Sequence, residues 1–289
     1  AGPSLSARSR CSRRAFSSIR RRGAAGLLGE LDTGFMGFSH KTLSRAMKAA
    51  LRLIYPPQCL GCGGAVEQDG ALCPKCWRDC EFVSGCACRR CGVPLPGDAG
   101  EDTSDADGSL ICDDCLTTVR PWRHGRAALV YRGIGRDLVL ALKHGDRPDL
   151  AGPLGGWLAL AAAPILREGM IVVPIPLHPR RLMQRKFNQA ALLSAQAAKV
   201  HGLTHYPSLL YRTRQTPAQD HRSLEERFAN LQGALAVAPR NRAELQGRSV
   251  LLVDDVMASG ATMSTAAEAL LAAGAATVCV AVLARAVKE

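Results

Sequence analysis

The sequence predicts an α/β protein: a mostly parallel sheet covered by helices on both faces, preceded by a small domain folded around four-cysteine metal sites. Three observations predict it. From residue 127 onward, short apolar runs alternate with stretches of helical length, the pattern of strands buried on both faces of a parallel sheet. Residues 58–118 hold most of the twelve cysteines, eight of them in Cys-x2-Cys pairs. Aromatic residues make up only 4% of the chain, so the core must be built from Leu, Val, Ile and Ala, which suits a buried sheet.

The first 35 residues carry seven arginines against Glu30 and Asp32, which places five of the twelve net positive charges there. The segment is rich in Ser and Arg and poor in acids, as a transit peptide would be, although the first Met is Met36. Residues 1–42 are therefore read as a disordered basic leader or a mis-assigned upstream extension. Residues 43–57 read as a short helix, with Leu43, Met47, Ala50, Leu51 and Ile54 on one face and Pro56-Pro57 ending it. No run of 18 apolar residues is present, so no membrane span is expected. No secretory apolar segment precedes the cysteines. A reducing, cytoplasmic setting follows, and the cysteines are not a disulfide framework.

Residues 58–118 read as a double zinc-ribbon region. Cys59, Cys62, Cys73 and Cys76 form one set; Cys88, Cys91, Cys112 and Cys115 form another. Each Cys-x2-Cys sets two thiolates on one tight turn, and two such turns close a tetrahedral Zn²⁺ site. All-cysteine sites leave no position for water, so two structural zinc ions are expected. Crossed pairing between the sets remains open on sequence alone. Residues 96–109 hold five acids with no base or large apolar side chain and read as a solvated insertion in the second ribbon. Of the remaining cysteines, Cys279 falls in an apolar run and reads as a small buried residue.

From residue 119 to 289 the α/β pattern takes over. Strands are expected at 127–131, 171–175, 249–253 and 277–283. Helices are expected at 134–144, at 150–167 with an interruption near Pro153, at 189–201 ended by Gly202, and at 262–273 ended by Gly274.

The most informative segment is 250–262, Val-Leu-Leu-Val-Asp-Asp-Val-Met-Ala-Ser-Gly-Ala-Thr. An apolar strand delivers Asp254 and Asp255 to its C-terminal end, where open α/β sheets bind ligands. Val256 leads into Ala258, Ser259, Gly260, Ala261 and Thr262, small residues ahead of a helix. Such a loop lets backbone N–H groups converge on a phosphate, and the helix N-terminus adds a favourable partial charge. Carboxylates can accept hydrogen bonds from both hydroxyls of a ribose. Together these describe a ribose 5-phosphate. No Gly-Lys-Ser/Thr follows, which excludes a P-loop.

This segment resembles the phosphoribosyl-pyrophosphate (PRPP) motif of type I phosphoribosyltransferases, in which the position of Ala258 is usually Thr or Ser. The resemblance narrows further to the ComF family. The matching stretches are residues 173–180, 185–189 (Arg-Lys-Phe-Asn-Gln), 214–230 and 250–262, behind the cysteine pairs, with 131–137 and 142–144 also similar. One departure is Lys186, where the family usually has Gly. The resemblance implies a sheet of the type I phosphoribosyltransferase kind, PRPP as ligand and Mg²⁺ accompanying its diphosphate. On that reading Asp254 and Asp255 hold the ribose, Val256 and 258–262 surround the 5-phosphate, and Lys143, Arg180 and Arg185 face the pyrophosphate. The polar, basic stretch 212–230 fits a loop closing over a charged substrate, or an ordinary solvated loop.

Two functions are implied. One is an enzyme transferring phosphoribose to a nucleobase-like acceptor. The other is a non-catalytic accessory factor for DNA uptake in competence, docking through its ribbons onto an uptake-complex protein or single-stranded DNA. A regulator that binds PRPP without turnover is a third. No residue names the acceptor or the oligomeric state.

Overall fold

The computed structural model describes residues 55–97, 110–145, 147–214, 231 and 233–287. The leader, the helix expected at 43–57 up to residue 54, most of the acidic insertion and the stretch 215–230 lie outside the described residues.

Five strands, β1 (Gly125–Val130), β2 (Ile171–Pro174), β3 (Thr204–His205), β6 (Ser249–Met257) and β7 (Thr277–Arg285), form one sheet in the order β1-β7-β6-β2-β3. Every pairing in it is parallel. A separate antiparallel pair joins β4 (Leu210–Arg212) to β5 (Leu235–Val237). Alternation along the strands divides the core into two layers. Val250 and Leu252 of β6, with Val278, Val280 and Val282 of β7, face one layer. Leu251 and Val253, with Cys279, Ala281 and Leu283, face the other.

The first layer is closed by Leu245 of α7 (Arg242–Leu245), by α8 (Ala261–Ala272), through Met263, Ala266, Ala267 and Leu270, and by Leu210 and Leu235 of the antiparallel pair. The second is closed by α3 (Gly133–His144), α4 (Ala151–Ala162) and α6 (Gln189–His201). Asn188 caps α6 by accepting from the Ala190 N–H, and Gly202 ends it at φ 63°. Pro153 does not interrupt α4. It sits in the first turn, where the N–H it lacks has no intrahelical partner to lose.

The described residues from 57 onward belong to one compact unit. The two cysteine sets lie on opposite faces of the sheet, and each ends in a short helix that carries its last cysteine, Cys76 on α1 (Pro74–Asp79) and Cys115 on α2 (Asp113–Thr117). Leu60, Leu72, Cys80 and Phe82 pack into the α3/α4/α6 layer, whereas Cys88 and Cys91 are fully buried in the α8 layer. The chain crosses between them along the outer edge of β1. There Val83 donates to the Ala128 carbonyl, Val130 donates to the Glu81 carbonyl, and Phe82 bridges Leu129 antiparallel. An otherwise open sheet edge is thereby covered.

Candidate functional site

β6 runs four residues past the expected end at 253. Its partner β2 stops at Pro174, opposite Val253, while β7 continues to pair as far as Met257 and Arg285. Asp254 and Asp255 therefore emerge at a step, hydrogen-bonded in the ladder on one side only. The period of two sends them to opposite faces. Asp255, in phase with Leu251 and Val253, turns toward α3, where Lys143 Nζ meets its Oδ1 at 2.9 Å. Asp254 turns the other way, toward the start of α8.

A cavity of about 220 Å³ opens at that point, lined by Lys143, Asp254, Val256, Met257, Ala258, Ser259, Gly260, Ala261, Thr262 and Met263. Its floor is the turn 258–260 and the first turn of α8. Gly260 stands at the helix N-cap with φ 81°. A Cβ there would lie 2.9 Å from Arg120 Nη1 and 3.3 Å from the Trp122 ring, so both conformation and space require glycine. Ser264 N–H donates to the Gly260 carbonyl as the first helical bond. The N–H groups of Ala258, Ser259 and Gly260 have no acceptor among the described residues.

Burial, with the neighbouring Asp255 charge, pushes the Asp254 carboxyl up to about 7 against the opposing effects of Lys143, the Asp255 N–H and Arg212. The Asp255 N–H donates to Asp254 Oδ1 at 2.9 Å. The cavity thus offers an acidic wall, a lysine and a helix N-terminus within one small space.

Of the residues singled out from sequence, Lys143, Asp254, Val256, Ala258, Ser259, Gly260, Ala261 and Thr262 line this cavity, and Asp255 joins it through Lys143. Arg180 and Arg185 are not among the lining residues. Both lie on α5 (Pro179–Arg185), a short helix capped by His178. Arg185 donates to Gln189 Oε1 at 3.4 Å. Lys186 ends α5 at φ 65°, and no other non-glycine among the described residues has a positive φ. That backbone state explains why glycine suits the position.

The cysteines resolve into two clusters without crossing: Cys59, Cys62, Cys73 and Cys76, then Cys88, Cys91, Cys112 and Cys115, each with its four Sγ atoms within 4.8 Å of one another. A zinc ion with Zn–S bonds of about 2.3 Å needs tetrahedral edges of roughly 3.8 Å. Cys62 Sγ to Cys73 Sγ is 3.8 Å and Cys91 Sγ to Cys112 Sγ is 3.5 Å. The knuckles are alike: Gly63 donates to the Cys59 carbonyl and Gly92 to the Cys88 carbonyl. Burial raises the Cys59 thiol, but the N–H groups of Cys62, Cys73 and Gly61 outweigh it and bring it down to about 6. Both clusters fit structural Zn²⁺. Cys86 stays outside them, and burial raises the Cys80 thiol to about 12, as for an inert core residue.

Comparison with known proteins agrees with this layout. The double zinc ribbon model matches residues 50–116 and the phosphoribosyl transferase domain model matches residues 209–288. The chain is 31% identical over 225 residues to the DNA utilization protein YhgH of Salmonella typhimurium, covering 76% of this chain and 86% of that one. It is 26% identical over 216 residues to competence protein ComFC of Bacillus subtilis (72% and 81% covered) and 33% identical over 93 residues to competence protein F of Haemophilus influenzae (32% and 40% covered). The chain belongs to the ComF family.

Three further arginines of this ComF-family chain stand at the site: Arg212, the first residue of the stretch expected as a loop but here part of a strand, and Arg120 and Arg285, neither of which was singled out from sequence. Arg212, at the end of β4, donates from Nε to the Pro176 carbonyl at 2.8 Å; burial lowers its pKa while the charge of Asp254 opposes that. Arg120 and Arg285, both buried, donate to the carbonyls of the 257–259 turn. Arg285 had a faint signal, a base closing an apolar strand. Arg120 had none, because its contact spans 139 residues of chain. Among the described residues no helix is long and apolar enough to cross a membrane.

Proposed function

We propose that the protein binds PRPP with Mg²⁺ at the C-terminal end of β6 and transfers its phosphoribosyl group to a nucleobase-like acceptor, releasing pyrophosphate. One observation carries this reading: a single cavity brings Asp254 and Lys143 together with the 258–262 turn at the start of α8. The turn and the α8 N-terminus suit a phosphate dianion. Asp254 suits the ribose hydroxyls. Lys143 suits a diphosphate oxygen, and Asp255 holds the Lys143 ammonium in place at 2.9 Å. Mg²⁺ would supply charge neutralisation on the leaving pyrophosphate. As the ribose C1–O bond to pyrophosphate breaks, positive charge develops on the sugar. The carboxylate wall favours that charge, and the N–H groups of the turn fix the far end of the molecule.

A second reading is an accessory factor for DNA uptake, with the ribbons as docking elements onto a partner protein or single-stranded DNA and the PRPP site as a sensor or relic. The names of the relatives, a DNA utilization protein and two competence proteins, favour it. So does the position of Arg180 and Arg185 away from the cavity lining.

Calorimetric titration of Mg²⁺-PRPP into wild type and Asp254→Asn/Asp255→Asn tests the ligand. Saturable binding lost in the double variant supports the site; a folded, zinc-loaded wild type that binds no PRPP defeats it. Pyrophosphate release across a panel of nucleobases then separates the readings. Turnover with any acceptor favours the transferase; binding without turnover favours the sensor.

A further inference from the structure

We propose that Arg120 is a positioning residue for the phosphate turn, acting beside Arg285, and that the second cysteine cluster sets the place of Arg120. The proposal rests on reading 258–262 as a phosphate cradle and deepens that reading.

Three consecutive carbonyls of the turn are held from behind. Arg285 Nη1 donates to the Met257 carbonyl at 3.0 Å and the Ala258 carbonyl at 2.7 Å, and Arg120 Nη1 donates to the Ser259 carbonyl at 2.8 Å. All peptide bonds here are trans, and in a trans peptide the N–H points opposite to the carbonyl. Holding those three carbonyls turns the N–H groups of Ala258, Ser259 and Gly260 away from the two guanidiniums. These are the same N–H groups that have no acceptor among the described residues.

The charges act in the same direction. Arg120 is 8% exposed and Arg285 3%, and a guanidinium does not lose its proton in a protein. Among the described residues no carboxylate lies within ion-pair distance of either. Arg120 has the Cys115 sulfur of the second cluster beside it, and Arg285 has only backbone carbonyls among the described residues. Two buried guanidiniums without a carboxylate partner, behind a turn of N–H groups that lack acceptors, make a site that an anion would complete.

Arg120 does not hold itself in place. It lies five residues beyond Cys115, with its guanidinium over the Trp122 ring at 5.5 Å from the centroid and beside the Cys115 thiol. Trp122 is clamped to the knuckle between Cys88 and Cys91: its indole N–H donates to the Arg90 carbonyl, and Arg90 Nη1 donates to the Trp122 carbonyl at 2.8 Å. The chain of contact runs from knuckle to Trp122, to Arg120, to Ser259. The first cluster packs on the opposite face of the sheet and takes no part in it.

Because the turn holds the 5-phosphate and not the diphosphate, the two ends of PRPP report separately. The test is calorimetry with ribose 5-phosphate alone and with Mg²⁺-pyrophosphate alone, on wild type, Arg120→Gln, Arg120→Lys and Cys112→Ser, with zinc measured on each. Arg120→Gln is expected to keep two zinc ions and wild-type pyrophosphate affinity while weakening ribose 5-phosphate about 10- to 100-fold, the loss of one charge-assisted hydrogen bond. Arg120→Lys should recover part of that. Cys112→Ser should lose one zinc and weaken ribose 5-phosphate likewise. Unchanged ribose 5-phosphate binding by Arg120→Gln, or equal weakening of both ligands, overturns the positioning role. A folded Cys112→Ser, short of one zinc but binding as wild type, overturns the link to the cluster. A wild type that binds neither ligand overturns the phosphate-cradle reading itself, which is a distinct result.

Discussion

Replacing Lys143 with methionine should cost stability and binding for separable reasons. Lys143 Nζ and Asp255 Oδ1 are 2.9 Å apart, with side chains 18% and 12% exposed. Methionine keeps most of the side-chain volume and removes the charge. What remains is a nearly buried carboxylate next to Asp254, itself already raised toward neutral pH. Breaking a fully buried pair costs about 3–5 kcal/mol. The residual exposure of both partners lets water screen part of that, so roughly 2–3 kcal/mol is expected. Removing the orphaned acid as well, in Lys143→Met/Asp255→Leu, should recover stability to within about 1 kcal/mol of wild type, because an apolar pair avoids the desolvation of both charges. PRPP binding should not return in the double variant if Lys143 contacts the ligand. Urea unfolding of zinc-loaded protein gives the stabilities from midpoint and slope, and calorimetry gives the affinities. A single variant less than about 0.5 kcal/mol below wild type would refute the buried-pair reasoning, as would a double variant no more stable than the single.

Asp254 sets a pH dependence with opposite signs for stability and affinity. Its folded pKa of about 7 lies above the ordinary carboxylate value of 3.8. The folded state therefore binds more protons between these values, and the contribution of Asp254 to stability, fully present below about 4, is lost as pH rises through 7. Ribose hydroxyls favour the carboxylate, so PRPP affinity should climb over the same window. Asp254→Asn should flatten both trends, apart from the titration of the ligand phosphate; urea midpoints and calorimetry at pH 5.5 to 8 check this, and a wild-type midpoint that rises with pH relative to the variant would contradict it. At the end of α5, Lys186→Gly relieves a left-handed backbone at φ 65° and should raise stability by about 0.5–1 kcal/mol, after allowance for the extra freedom glycine gives the unfolded chain. A lowered urea midpoint would mean that the Lys186 side chain contributes more than its backbone costs.

The parts of the fold that were legible in sequence are those fixed by short-range pattern. Apolar runs located β2, β6 and β7, Gly202 marked the end of α6, and cysteine spacing named all eight members of the two clusters. The turn at Ser259 and Gly260 was legible because small residues after a buried strand and before a helix have few other uses. What escaped depends on distant partners. The β4–β5 pair is three residues per strand and joins segments more than twenty residues apart. The division of labour between Asp254 and Asp255 follows from where β2 stops, not from anything in their own segment. The two arginines behind the turn sit in unremarkable local sequence and acquire their role only when three surfaces meet.

The placement of the ribbons also changes what can be asked of the protein in pieces. Sequence suggested a cysteine region ending near 118 and an α/β domain after it. In the folded chain, residues 81–83 pair along the outer edge of β1, Gly125 N–H donates to the Arg89 carbonyl, and a Cβ on Gly92 would fall 2.6 Å from the Ala127 nitrogen. Cys88 and Cys91 are core residues of the α8 layer. A chain beginning at residue 119 would expose the β1 edge and unroof both faces beside it, leaving Trp122 and Arg120 without the knuckle that orients them. Loss of PRPP binding in such a fragment would therefore carry no information about whether the ribbons dock onto a partner. The docking idea is better tested on surface that the fold does not use: Leu116 and Val119 are 67% and 92% exposed beside the second cluster. Replacing them with serine leaves the knuckle, Arg120 and the turn in place, so a change in partner or DNA binding without a change in PRPP affinity separates recognition by the ribbon from its structural work.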